Sequence, residues 1–165
     1  VKSGRDDGFS RLFETYSGPL RRLCAAYLED PSDRQDLFQE IAMALWAALP
    51  HFRAEASERT WLYRIAHNVA LTYSAKRRRQ YRTENPIEDA SLASRSHDDT
   101  RRIALLEAVR QLEPADRHLA VLYLEGLTGR EMADVTGLTE NHIGVKLTRL
   151  RQKLAVILHG KGVQS

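Results

Sequence analysis

Three groups of side chains in this sequence have the types and spacing for chemistry, and in each case the chemistry is binding. Lys76-Arg77-Arg78-Arg79, with Arg82 close behind, puts five cations within about two helical turns, a cluster suited to holding backbone phosphates. Asp36 and Glu40 lie four apart, with Gln39 beside them, so one helical face carries an acid and amide patch that suits basic side chains on a partner helix. Near the end of the chain, Asn141, His142, Val145, Lys146, Thr148, Arg149 and Gln152 fall on or near one side of a helix, offering contacts to base edges and phosphates.

Covalent chemistry finds no comparable set. The six histidines (His51, His67, His97, His118, His142 and His159) do not pair with acids at metal-ligand spacing, and no glycine-rich phosphate loop or nucleophile elbow occurs. Cys24 is the only cysteine and falls on an apolar helix face, so it reads as core; it cannot make an intramolecular disulfide, which agrees with a reducing compartment. The expectation is a chain that is not an enzyme and holds no metal or cofactor. No apolar run approaches the ~18 residues of a membrane span, and the opening VKSGRDDGFSRLF lacks a signal peptide's apolar centre. A soluble, cytoplasmic protein without membrane insertion is expected.

Positioning these residues requires helices. Apolar positions recur at helical spacing almost throughout, and no stretch alternates long enough for a strand, so the fold class is all-α: two small helical domains joined by a flexible linker. A first helix is expected over about Phe9 to Leu28, with a bend at Gly18-Pro19. Ser32 with Gln35 reads as the capping box of a second, running to about Leu49 with Leu37, Ile41, Leu45 and Leu49 inward. A third starts near Ser57 or Glu58, uses Trp61, Leu62, Ile65, Val69 and Tyr73, and continues into the basic run. Residues 83–100 (TENPIEDASLASRSHDDT) lose the periodicity and have the composition of a solvated linker. The division is therefore 1–82, 83–100 and 101–165. Charge follows it: the first block holds 14 basic and 10 acidic side chains, the connector 1 and 5, the last block 10 and 7.

Beyond the linker, Ile103, Leu106, Val109 and Leu112 mark a fourth helix, and Pro114 suits the first turn of a fifth that carries Leu119, Leu122 and Tyr123 and closes at Gly126. TGREMADVTGLTENHIGVKLTRLRQKL, residues 128–154, is the most specific local signal. Thr128 and Glu131 form a capping box, Ala133 is small where two helices cross, Gly137 takes a positive φ, and Thr139 caps the next helix. Ile143, Leu147, Leu150, Leu154 and Ile157 then face inward, the arrangement of a helix-turn-helix. Each half is small enough for its core to be marginal alone, so help from a partner or from the other half is expected.

Asp36-Leu37-Phe38-Gln39-Glu40 with Leu45-Trp46, then Thr60-Trp61-Leu62-Tyr63-Arg64-Ile65-Ala66-His67-Asn68 and the basic run, resemble region two of small sigma factors, and residues 103–158 resemble their region four. The whole pattern, about 9–159, resembles an extracytoplasmic-function sigma factor. That resemblance implies a subunit that binds core RNA polymerase and directs initiation at promoter DNA. It assigns Asp36, Gln39, Glu40 and Trp46 to polymerase binding, with Trp46 as the apolar anchor. It assigns Phe52, Arg53, Ser57, Arg59, Arg64 and Asn68, with Lys76, Arg77, Arg78 and Arg79, to the melted promoter element, where unpaired bases need stacking surfaces and polar groups. Trp61, by its spacing, is core. Thr139, Asn141, His142, Val145, Lys146, Thr148 and Arg149 go to the upstream promoter element. Gly144 and Val145 depart from the Val-Lys-Ser-Arg-Leu pattern of many members, so the promoter bases stay open. Such family members are commonly held by an anti-sigma factor, and Tyr27 and Tyr123 are read equally as core or as docking surface for one. Two other readings stand beside this one: a helix-turn-helix regulator that does not replace a sigma subunit, and a helical adaptor that binds only protein.

Overall fold

Short-range signals set most of the helix ends. In the computed structural model the backbone is described for residues 2–84 and 97–162, and side chains for 4–82 and 100–160. All regular structure among them is helical: α1 (Lys2–Tyr27), α2 (Pro31–Ala48), a 3-10 turn (Leu49–His51), α3 (Glu58–Glu84), α4 (His97–Arg110), α5 (Pro114–Leu124), α6 (Gly129–Thr136) and α7 (Glu140–Gly162). Of the stretch expected to link the halves, 83–84 close α3 and 97–100 open α4; the rest lies outside the described residues.

Two helix starts differ from expectation. α1 begins seven residues before Phe9, because its first turns are anchored: Arg5 donates to the Trp46 carbonyl at 2.6 Å and its guanidinium lies 4.1 Å from the Trp46 ring centre. The helix continues through Pro19, with buried Leu12 before it and Leu20 and Leu23 after it. α2 is capped by Asp30, not Ser32. The Asp30 carboxylate accepts from the backbone N–H groups of Ser32 and Asp33 at 2.7 and 3.2 Å. Pro31 at the first helical position explains the shift, since it has no N–H to satisfy and its fixed φ already suits a helix. Elsewhere the local signals hold. Pro114 opens α5, Thr128 and Glu131 make the reciprocal capping box of α6, and Gly126 and Gly137 carry φ of 78° and 77°.

Packing joins the two halves of the chain. Leu12, Leu20, Leu23, Leu37, Ile41, Leu45 and Leu62 bury between α1, α2 and α3, while Val109, Leu119, Leu122, Met132, Ile143 and Leu150 bury between α4 and α7. These form one continuous cluster, so the help expected for two marginal cores comes from each half to the other. α3 is the shared element, packed on α2 along one side and on α6 along another. That position corrects its expected face. Only Leu62 of the expected stripe is fully buried; the other buried residues are Thr60, Tyr63, Ala66, His67, Ala70 and Ser74, and Trp61, Ile65, Val69 and Tyr73 are half-buried. Apolar periodicity marks one face, whereas this helix has neighbours on two. Tyr27 is buried at the seam in the packed state, while Tyr123 is 38% exposed beneath the Arg151 guanidinium.

At the centre of this seam two imidazoles meet. His67 of α3 stacks on His118 of α5, and the His118 Nδ1 shares a hydrogen bond with the Tyr27 hydroxyl of α1 at 3.1 Å. His67 Nδ1 and His118 Nε2 are buried without a hydrogen-bond partner. Burial pushes both pKa values far below the ordinary histidine value of 6.5, and in His118 the neighbouring His67 adds to the effect. The packed state therefore binds fewer protons than the open one. Packing is unpenalised above about pH 6.5 and loses about 1.4 kcal/mol per pH unit per imidazole below it. Distance-sensitive fluorescence between a label on α2 and one on α7 is expected to report separation of the halves between pH 7.5 and 5. His67→Gln/His118→Gln should flatten that response, and an unchanged distance in the native chain at pH 5 would refute the linkage.

Candidate nucleic-acid and protein interfaces

The acid and amide patch is assembled as its spacing implies. Asp36, Gln39 and Glu40 line a polar groove of about 470 Å³ between α2 and α3, closed on the far side by Tyr73, Lys76, Arg77 and Gln80. The Tyr73 hydroxyl records the field there: its pKa is raised first by burial, then by the Asp33 and Asp36 carboxylates, with Glu40 adding less. Trp46 does not serve as this groove's apolar element. Arg5 lies over its ring and Phe9 meets it edge-on at 5.1 Å, so Trp46 fastens α1 to α2. Met43, by contrast, lines the groove. It is 71% exposed and lies four residues after Gln39 and three after Glu40, on the same face. The i+3 and i+4 spacing from Glu40 and Gln39 is readable in the sequence.

The loop between the 3-10 turn and α3 carries Phe52, Arg53 and Ser57. Phe52 packs on Trp61, ring centres 4.8 Å apart, so part of each ring is covered by the other. Ala54 adopts φ 56°, the one positive φ at a non-glycine residue among those described, which turns the chain sharply beside exposed Arg53. The Ser57 hydroxyl accepts from the Thr60 N–H at 3.1 Å and caps α3. Its position follows from helix capping, and that bond occupies its oxygen.

Several candidate nucleic-acid residues of α3 are held by the rear half. Arg64 donates twice to the Asp134 carbonyl, at 3.1 and 2.7 Å, and Arg59 pairs with Glu131 at 3.7 Å while donating to the Glu125 carbonyl at 3.4 Å. Glu125 also accepts both arms of Arg22, at 2.7 and 2.9 Å, and the Tyr63 hydroxyl at 3.5 Å. Asn68, one turn beyond Arg64, is exposed. In the basic run, Arg77 is committed to the buried Asp33 carboxylate at 2.8 Å and lies over Tyr81, Arg78 donates to its own helix at the Ser74 carbonyl, and Lys76 is exposed on the polar groove. Arg79 is exposed at the helix surface.

The helix-turn-helix has the geometry its caps demand. Thr139 Oγ1 accepts from the His142 N–H at 3.2 Å, and Ile143, Leu147 and Leu150 are buried. Asn141, His142, Val145, Thr148 and Arg149 are exposed, and Lys146 is half-exposed at the edge of that face. The Thr148 hydroxyl donates to the Gly144 carbonyl at 3.1 Å, so its proton is used within the helix. Thr139 is likewise used as a cap. Among the described residues no three His, Cys, Asp or Glu side chains gather in a way that could hold a metal ion, and no helix is long and apolar enough to cross a membrane.

The described surfaces thus comprise an acidic groove on the front half and an exposed polar helix face on the rear half. Comparison with known proteins agrees with that division. The Sigma-70 region 2 family matches residues 12–80, and the Sigma-70 region 4 family matches residues 102–154. The chain belongs to the sigma-70 family, whose two regions together match most of it. It is 26% identical over 186 residues to the ECF RNA polymerase sigma factor SigG of Mycobacterium tuberculosis, covering 93% of this chain and 49% of that protein. It is 26% identical over 172 residues to the RNA polymerase sigma factor NccH of Alcaligenes xylosoxydans xylosoxydans, covering 97% and 91%. The chain therefore spans about half of the first relative and most of the second. In fold it is similar to the sigma factor RpoE solved with the anti-sigma factor NepR from Bartonella quintana, with TM-score 0.78, 20% identity and coverage of 92% and 97%. It is also similar to CnrH solved with the cytosolic domain of CnrY, with TM-score 0.73, 21% identity and coverage of 96% and 92%.

Because Glu125 ties Arg22 and Tyr63 to the rear half, Glu125→Lys should loosen the packed state. The replacement is expected to lower the urea midpoint, and Arg22→Glu/Glu125→Lys to recover about 1 kcal/mol of the summed loss of Arg22→Glu and Glu125→Lys in a double-mutant cycle. Simple additivity of the two changes would show that the pair contributes nothing.

Proposed function

We propose that this chain binds core RNA polymerase and directs it to specific promoters, the front half engaging polymerase and the melted element and the rear half reading the upstream duplex element. The observation that carries this reading is the occurrence, on one chain and in order, of the two sigma-70 regions, each with its expected surface: an acidic groove on the first and an exposed helix face on the second. Its contribution is recognition and binding energy, with bond-making left to polymerase, and its place of action is the cytoplasm. The domain division follows the same logic, with 83–84 belonging to α3 and 97–100 to α4 and not to the connector.

In this mechanism Asp36, Gln39 and Glu40 meet basic side chains on a polymerase helix, and Met43 supplies the apolar contact at their centre, an unbranched side chain that adapts to an uneven partner surface. Arg59 and Arg64 exchange Glu131 and the Asp134 carbonyl for nucleic acid, which requires the halves to part. The packed arrangement is then a resting state, and an anti-sigma factor is a natural partner for it. Of the two solved proteins similar in fold, RpoE was captured with the anti-sigma factor NepR and CnrH with the cytosolic domain of CnrY.

The decisive experiment is transcription in vitro with core polymerase on genomic fragments. Added protein is expected to produce transcripts from reproducible start sites; absence of affinity for core polymerase would end the proposal. Asp36→Lys/Glu40→Lys and, separately, Met43→Glu should weaken core binding at least ten-fold with the melting temperature kept, since all three positions are on the surface. Met43→Glu with native affinity would remove Met43 from the interface.

A further inference from the structure

Two valines stand on the exposed face of α7, Val145 and Val156, and of these only Val145 lies in the N-terminal turns that follow the helix-turn-helix corner. It is 46% exposed and, at 3.6 residues per turn, lies roughly opposite the buried line of Ile143, Leu147 and Leu150. Its neighbours on the helix surface are polar: Asn141 one turn before, and Thr148 and Arg149 one turn after. An apolar, β-branched side chain at the crest of such a face adds nothing to the core and is a weaker helix former than alanine. The residue before it is Gly144, which is exposed, and a Cβ built there would meet nothing within 4 Å. The fold itself does not require a glycine at that position. The two positions together make a low, apolar crest between polar shoulders, in the second turn of the helix.

The major groove of B-DNA presents one apolar feature on its base edges, the 5-methyl group of thymine. The second helix of a helix-turn-helix enters that groove with its N-terminal turns against the bases. We infer that Val145 reads a thymine in the upstream element through contact with its 5-methyl group, with Gly144 letting the backbone come close enough for a short side chain to reach it. This assignment rests on the proposed promoter-reading role of the rear half and specifies a base that the role alone does not.

The test starts from a library of DNA randomised across the upstream element and selected by the full chain bound to core polymerase. Selection by the native chain is expected to fix thymine at one position where Val145→Ser and Val145→Ala relax the preference, the remaining positions being kept. In the selected promoter, replacing that thymine by deoxyuridine removes only the methyl group. Native protein should lose roughly four-fold in affinity, the scale of one buried methyl group, and Val145→Ser should lose almost nothing further. Equal affinity of the native protein for thymine and deoxyuridine, or unchanged preferences in both variants, would overturn the inference and leave promoter reading intact. Selection of no sequence at all would overturn the promoter-reading role and this inference with it. Both variants alter only an exposed position, so their melting temperatures should match the native chain.

Discussion

The organisation of this molecule depends on α3 being buried from two directions. A helix with one apolar stripe can be served by one partner, but Leu62 faces the front core while Tyr63, Ala66, His67 and Ala70 are also shielded, and α6 and α5 supply the second wall. Two small sets of helices, each marginal by size, become one cluster through that element. The seam contains polar pairings as well as apolar ones: Arg22 with Glu125, Arg64 with the Asp134 carbonyl, and Arg110 with the Ala25 carbonyl at 3.0 and 2.8 Å. Such a seam is separable in a way that a wholly apolar one is not, because each of its charged groups can be rehydrated or given to another partner.

That division of the surface bears on the proposed mechanism. The α2–α3 groove with Met43 and the crest of α7 both face outward in the packed state, whereas Arg59 and Arg64 are turned onto the rear half. Polymerase contact and duplex reading thus have accessible surfaces before opening, as do Arg53, Asn68, Lys76 and Arg79, whereas Arg59 and Arg64 are bonded to the rear half.

Much of this was legible in the residues. Thr128, Glu131, Gly137 and Thr139 specify their corner through capping and positive φ, interactions that span three or four residues and need no knowledge of the fold. The acid and amide patch was visible for the same reason, as a spacing on one helix. What the sequence concealed depends on tertiary neighbours. Trp46 reads as an exposed anchor until Arg5 and Phe9 are found covering it, and Arg59 and Arg64 read as open cations until the rear half is seen beside them. The histidine pair was invisible for a different reason: His67 and His118 are far apart in the chain, and each alone is an ordinary residue on a helix. The cap formed by the Ser57 hydroxyl at the start of α3 is a local interaction of the same three-residue kind.

The pairing of Arg77 with Asp33 has a consequence for how charge is counted on this protein. Asp33 is only 6% exposed, so it holds the guanidinium as a fixed internal ion pair, unlike a mobile surface cation. Polyanion association is driven largely by the small ions that each newly neutralised phosphate sets free. A guanidinium already balanced by a carboxylate releases none unless that carboxylate is first abandoned. In the proposed contact with nucleic acid, the tetrad Lys76 to Arg79 would consequently be worth at least one fewer displaced counterion than its four letters suggest.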